Sequence, residues 1–544
     1  MRHRDAIAAC LAAGALLLGS LNAAPAVAET AHTPTADLVN GGFEADGPVG
    51  GKKITGWKVK GGPAGVAVAE PGRTGRYALA LTGSRPYTAE VEQTVTVPDG
   101  YYTVSAWTRS GGGRQATYLS AGGPGSHDAR TSLPVSSDWK QVVVRGVHVT
   151  KGRLTVRLHS RAPAGAWSSI DDVQLVPATG PYEFLKGGDI TMLNWVEDSG
   201  GIYRDAKGRP RDPMDIMRDN GVNVVRLRLY NDTGPDHPRI GYPNDHLPEG
   251  YQDEEDMLDL ARRAAAHDMQ IQLTFHYSDY WTNGEIQDIP KDWRHVTELS
   301  EPEAIEALEK YVYDYTSRVL RRMKAQGTTP QFVSLGNEIQ GGLLFPYGKS
   351  WGQDDAFAKL GRFLKAGYRA VKDVSPATQV IIHIHDAGDD DEYEWFFGEL
   401  EKQGVPYDLI GSSYYPYWTK KDVATVLGFF DRVSARFGKK IMVMETGINW
   451  NPVTHDGIEG QLLDNGPVPY GETREGQRDF LYELFAGLKS VPDGKVIGDL
   501  YWDPVMIPAD GVGWQVGAEN VVSNTTLFDF DGRALPAMDA YRYN

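Results

Sequence analysis

Two glutamates stand at the ends of apolar runs. Glu338 follows FVSL (332–335) across Gly336 and Asn337, and Glu445 follows IMVM (441–444). Both runs have the composition of a buried β-strand, so each carboxylate sits at a strand tip. Two carboxylates facing across one cleft are what hydrolysis of a glycosidic bond requires. One carries a proton for the leaving oxygen, and the other is ionised, to attack the sugar carbon or to activate water. Taken singly, a strand-end glutamate serves as readily as a salt-bridge partner or a helix cap. The surroundings of the pair favour chemistry. On VVRLRLY (224–230), Val225, Leu227 and Leu229 share one face and Arg226, Arg228 and Tyr230 the other. On IQLTFH (271–276), Gln272, Thr274 and His276 share a face in the same way. If the apolar faces lie under helices, two arginines point inward, where they need acids as partners. Arg226 or Arg228 would then keep one carboxylate ionised.

Aromatic residues crowd the same strand ends: Tyr277, Tyr280, Trp281, Tyr414, Tyr415, Trp418, Trp450, Trp502 and Trp514. Sugars present apolar C–H faces that stack on such rings. Asn337, beside Glu338, suits a sugar hydroxyl.

The elements that must position these groups follow from the rhythm of the chain. From about 184 onward, strand-like runs alternate with helical stretches. Strands are expected at 189–193, 222–230, 270–276, 331–338, 379–385, 409–415, 440–445 and 499–503. The stretch 301–326 has the 3.6-residue period of a helix through Ile305, Leu308, Val312, Val319 and Met323, with Ser300 and Glu303 as a capping box. Eight such units predict a (β/α)8 TIM barrel over 184–544, whose active site lies at the C-terminal ends of the strands. Residues 38–177 have period two instead, with turns rich in Gly, Pro and Ser, and predict an antiparallel β-sandwich of jelly-roll type.

The 544-residue chain has 41% hydrophobic residues and a formal net charge of −17. The acidic balance argues against nucleic acid or an anionic membrane as partner. Residues 1–28 read as a signal peptide with cleavage after Ala28, and 29–37 as a short leader. The single cysteine, Cys10, lies in the signal segment, so the mature chain has no disulfide. No other apolar run is long enough to span a membrane. The expectation is a secreted, extracellular bacterial protein.

The barrel region resembles the endo-β-1,4-galactanases of glycoside hydrolase family 53, a family of retaining (β/α)8 enzymes. The resemblance rests on FLKGGDIT (184–191), GVNVVRLRLYND (221–232), FHYSDYW (275–281), VSLGNEIQGGLL (333–344), IGSSYYPYW (410–418), VMETGINW (443–450) and LFDFDG (527–532). It implies that Glu338 is the acid/base and Glu445 the nucleophile. Asn337 and Tyr415 would assist at the cleavage subsite, with His276 and Arg228 beside them. Asp189, Asn231, Trp281, Trp418, Trp502 and Trp514 complete the expected substrate-binding set. The substrate implied is β-1,4-galactan, the side chain of pectic type I arabinogalactan. No cofactor is implied for catalysis, and the enzyme is expected to be a monomer. Two stretches depart from the family pattern: TNGEIQ (282–287), and the loop after Glu445, where only His455 and Asp456 hint at the calcium loop of bacterial relatives.

The first domain resembles jelly-roll carbohydrate-binding modules through LVNGGFEADG (38–47), ITGWKV (54–59) and SSIDDVQLV (168–176). That resemblance implies a structural calcium with Glu44 and Asp171 as ligands. Trp57, Trp107 and Trp139 are its candidate stacking residues. Two other readings stay open: a related retaining glycanase acting on xylan, mannan or β-glucan, and a non-catalytic carbohydrate-binding protein.

Overall fold

Eight parallel strands close into a barrel: β1 (Leu185–Asp189), β2 (Val224–Leu229), β3 (Gln270–Phe275), β4 (Phe332–Leu335), β5 (Gln379–Ile384), β6 (Leu409–Tyr414), β7 (Lys440–Thr446) and β8 (Val496–Tyr501). The computed structural model describes residues 38–544, apart from 52, 62–64, 112, 114, 126–127 and 353–354. The expected signal peptide and leader therefore lie outside the described residues.

Alternation along the strands decides what faces where. Val225, Leu227 and Leu229 on β2, with Ile271, Leu273 and Phe275 on β3, join the large core between barrel and helices. The opposite face of β2 brings Val224, Arg226 and Arg228 inward. Val224 joins Phe332, Ile381, Leu409 and Met442 in a separate apolar cluster, while both arginines are completely buried. The helix Glu301–Ala325 buries Ile305, Leu308, Val312, Val319 and Met323 and begins with the expected capping box between Ser300 and Glu303.

One strand differs from expectation. β1 ends at Asp189, and residues 190–193 lead instead into a short helix, Leu193–Asp198. The pair Gly187-Gly188 reads as a strand breaker, yet here it lies inside the strand because its neighbours come too close for a side chain. A Cβ on Gly187 would stand 2.1 Å from the Val224 carbonyl oxygen, and one on Gly188 2.6 Å from the Pro504 ring. The other seven strands overlap their expected ranges.

Residues ahead of the barrel form two six-stranded antiparallel sheets packed as a sandwich. Gly100–Ser110 shows why: Tyr102, Val104 and Ala106 point into the core, and Tyr101, Thr103, Ser105 and Trp107 point out. Trp57, a candidate for sugar stacking, is a core residue instead, buried against Phe43 with ring centroids 5.5 Å apart. Trp107 and Trp139 are half-buried on the outer face. The guanidinium groups of Arg73 and Arg109 lie over their rings at 3.7 and 4.9 Å.

Sandwich and barrel belong to one packed unit. The contact runs along the helix Arg474–Ser490, which leads from β7 toward β8. Arg145 of the sandwich donates to the carbonyls of Lys489 and Val491 at 3.0 and 3.1 Å. The Lys489 ammonium returns a bond to the Arg130 carbonyl at 3.0 Å. Ala486 of the same helix belongs to the apolar core of the sandwich, and Tyr543 stacks on Tyr118.

Candidate active site

After β4 the chain makes an abrupt turn. Gly336 has φ +90°, where a Cβ would lie 2.4 Å from Ile339, and Glu338 itself is left-handed at φ 47°, ψ 57°. A glutamate in that region carries backbone strain, which native structures keep mainly where function requires it. The turn lifts Glu338 into a cleft of about 370 Å³. Glu445, near the end of β7, lines the same cleft, as do Asn337, Tyr415, Trp281, Trp418, Trp502 and Trp514.

Glu445 is held on both oxygens. Arg226 donates Nη1 to Oε1 at 2.7 Å, and the Tyr415 hydroxyl donates to Oε2 at 3.1 Å. The same guanidinium reaches across to the Asn337 side-chain oxygen through Nη2 at 2.7 Å, and the Asn337 amide donates to the Thr282 carbonyl at 2.9 Å. Arg226 thus ties the tip of β7 to the turn after β4. Burial pushes the Glu445 carboxyl up to about 7. Arg226 opposes that rise with its charge and its bond, whereas the neighbouring Glu338 carboxyl adds to it.

Glu338 is placed differently. Its Oε1 accepts a bond from the Ser413 hydroxyl at 2.7 Å, and Ser413 Oγ lies 2.9 Å from His383 Nε2. One oxygen of Glu338, one oxygen of Glu445 and a ring nitrogen of His383 lie within 4.8 Å of one another. Three such groups could hold a cation. Here Glu445 is already paired with Arg226 and His383 with Ser413, so the arrangement suits two carboxylates acting in concert. His385, at the end of β5, also lines the cleft. Burial works against its charge, but its contact with Glu392 at 3.3 Å and the nearby Glu338 prevail, raising it to about 9.

The model of glycosyl hydrolase family 53 matches residues 185–541, the whole barrel. This chain belongs to glycosyl hydrolase family 53. An endo-β-1,4-galactanase of Bacillus subtilis (strain 168) is 28% identical over 394 residues, covering 66% of this chain and 86% of that one. Among solved structures, the family 53 catalytic domain of Ignisphaera aggregans aligns over 67% of this chain and 97% of its own, with 34% identity and a TM-score of 0.60. A fungal β-1,4-galactanase aligns over 66% and 98%, with 25% identity and a TM-score of 0.54.

Four residues expected to touch substrate lie behind the cleft wall of this family 53 barrel. Arg228 forms a two-pronged pair with Asp503 at 2.9 and 3.2 Å, and its Nε lies 3.5 Å from Asp189. Its guanidinium is sandwiched by Trp281 and Trp502, at 4.7 and 4.5 Å from their ring centroids. Arg228 and Asp189 therefore support the aromatic floor from below. His276 is buried, bonded through Nδ1 to Thr282 at 2.7 Å and packed on Tyr230. Burial and the charges of Arg226 and Arg228 hold it well below the usual histidine range, so it is neutral. Asn231 donates its backbone N–H to Ser278 and does not line the cleft. All four were expected from the family resemblance, and here each is held by protein partners behind the wall.

The sequence reading missed several cleft residues: Thr282, Asn283, Gly284, Glu285, Gln340, His385, Asp386, Ser413, Thr419 and Gln461. Ser413 was within reach of the alternation argument, since it lies two residues before Tyr415 and shares its face. Of the nine rim aromatics, Trp281, Tyr415, Trp418, Trp502 and Trp514 line the cleft. Tyr277 and Tyr414 pack in the core and spend their hydroxyls on Thr316 and the Lys421 carbonyl.

In the sandwich, Glu44 and Asp171 grip one loop. Glu44 Oε1 accepts the backbone N–H groups of Arg76 and Tyr77 at 2.9 and 2.7 Å. Asp171 Oδ2 accepts those of Arg73 and Thr74 at 2.7 and 3.3 Å, and its Oδ1 accepts that of Asp172 at 2.7 Å. These donors occupy Glu44 Oε1 and both Asp171 oxygens, and no third acidic or histidine side chain converges with the two among the described residues. As placed, the pair fits a loop clamp and does not fit a calcium cage.

Proposed function

We propose that this family 53 enzyme is a retaining endo-β-1,4-galactanase. The observation that carries the reading is the convergence of the two carboxylates, one oxygen of each within 4.8 Å of the other, at the floor of a tryptophan-lined cleft. Retaining enzymes hold their carboxyl groups roughly 5–5.5 Å apart and inverting ones about 6.5–9.5 Å, and oxygens this close favour the shorter spacing. Glu445, oriented by Arg226 and Tyr415, attacks the anomeric carbon. Glu338 donates its proton to the departing oxygen, then takes one from the water that releases the galactosyl–enzyme intermediate. Asn337 keeps a second amide N–H for a sugar hydroxyl, because only one is used by Thr282. Trp281 has Trp514 stacked on it, with centroids 4.3 Å apart, and the Arg228 guanidinium over its ring at 4.7 Å, so it braces the cleft floor. Trp502 and Trp514 line the cleft where galactose rings would pack. Trp418, 47% exposed, extends the platform to the rim. Galactanase relatives supply the choice of galactan over other β-glycans.

The test is time-resolved NMR on β-1,4-galactan. Initial release of the β-anomer supports the reading, and initial α-anomer overturns retention. Reducing-sugar release from xylan, mannan or β-glucan at rates matching galactan would favour the alternative glycanase.

We further propose that the sandwich binds galactan through the outer face carrying Trp107 and Trp139. Affinity electrophoresis of the full chain in galactan gels, beside Trp107→Ala and Trp139→Ala, checks this. Secretion with cleavage after Ala28 and a monomeric state complete the proposal. N-terminal sequencing of the exported protein and light scattering test them.

A further inference from the structure

The bonds around Glu338 are asymmetric, and the asymmetry specifies more than its position. Ser413 is the register neighbour of Glu445, reached through an irregularity between β6 and β7 at Ser412/Ser413. Its hydroxyl nevertheless turns to the other carboxylate, donating to Glu338 Oε1 at 2.7 Å. Behind it, His383 is completely buried. Burial and the charge of Arg226 keep that imidazole neutral, so it carries one ring proton. Its Nε2 faces Ser413 Oγ at 2.9 Å, while Nδ1 is buried with no protein partner. Either tautomer leaves Nδ1 without a protein partner, so the serine decides: its hydroxyl donates to Glu338 Oε1 and has no second hydrogen for Nε2. The proton therefore sits on Nε2 and is donated to Ser413 Oγ.

We infer that Ser413, oriented by His383, commits Glu338 Oε1 as an acceptor and so confines the catalytic proton to Oε2. Ser413 and His383 are positioning residues: they act through Glu338 and neither need touch the sugar. The inference rests on the acid/base reading of Glu338 given above. Its chemical content is that the carboxyl presents one defined oxygen to the glycosidic bond.

The experiment compares Ser413→Ala, Ser413→Thr and Glu338→Ala on galactan and on an aryl β-galactobioside with a good leaving group. For Ser413→Ala, kcat on galactan is expected to fall roughly 10- to 100-fold, a fraction of what a general acid contributes. On the activated glycoside the fall should stay under about 3-fold, because little protonation is needed there. Ser413→Thr, which keeps the hydroxyl, should restore most of the rate on galactan. A merely structural defect would depress both substrates alike; that result, or wild-type behaviour of Ser413→Ala, overturns the inference. If Ser413→Ala fails to fold, Ser413→Cys takes its place, since a thiol is a poor donor at the same position, and the same two readouts apply. Glu338→Ala separates the two levels. If it shows no leaving-group dependence, the acid/base reading falls and the inference with it. If it does and Ser413→Ala does not, only the inference falls.

Discussion

At the scale of single residues, the decisive bond is the one from Arg226 to Glu445. A carboxylate this deeply buried would remain protonated without a cation beside it. With Arg226 in place the group still titrates near 7. Only the ionised form attacks, so kcat/KM is expected to rise with pH through about 7 and to lose activity on the acid side. Removing the cation leaves burial unopposed, so Arg226→Met should move that acid limb to higher pH and take a donor from each of four buried acceptors, Glu445 Oε1, Asn337 Oδ1, Thr274 Oγ1 and the Met444 carbonyl. Breaking a buried pair in this way typically costs about 3–5 kcal/mol of stability. Stopped assays across pH, paired with thermal melts, check both effects. An acid limb unmoved by Arg226→Met would mean that the limb belongs to another group. Both inward arginines were legible from alternation on VVRLRLY. Which of them meets the nucleophile was not, because period two gives a face and says nothing of height. Arg226 proved to be the one bonded to Glu445, and Arg228, nearer the end of the strand, pairs with Asp503 and lies over the tryptophans.

At the scale of elements, seven of the barrel strands were readable because they are short apolar runs bounded by polar or turn residues. The first was not, because Gly187-Gly188 carries two opposite meanings. Glycine breaks strands by propensity, but it also permits close approach of neighbouring backbone. Here the second meaning governs, and it closes the barrel between β8 and β2. Gly187→Ala would drive a methyl group to 2.1 Å from the Val224 carbonyl. The expected outcome is a loss of about 1–3 kcal/mol or more, as for overpacked cores, or failure to fold. Denaturant melts decide it: a variant as stable as wild type would show that β1 has room to shift. The left-handed turn at Glu338 was equally hidden, since no propensity argues for a glutamate at φ 47°. The sequence showed the acid at the strand tip but not the strain that aims it.

At the scale of the molecule, the boundary between period-two and alternating βα rhythm was plain, and the two folds followed from it. What joins them was not, because Arg145, Lys489 and Ala486 have no signature that distinguishes a junction from ordinary surface. The same holds for the loop clamp of Glu44 and Asp171, where two acids near the ends of a sandwich look alike whether they bind metal or N–H groups. Their five backbone N–H bonds predict that chelation is without effect. Addition of EDTA should leave the melting temperature within about 1 °C, and a drop of several degrees would show a resident ion instead.

The bonds that Arg145 and Lys489 make across the junction replace a tether by a fixed mount. A domain on a flexible linker samples a sphere and lets its partner cut anywhere within reach. A mounted domain gives the enzyme a single stride. A galactan chain gripped on the Trp107 and Trp139 face would meet the carboxylates at one set distance along its length, so that the protein itself becomes a ruler for where an anchored chain is cut.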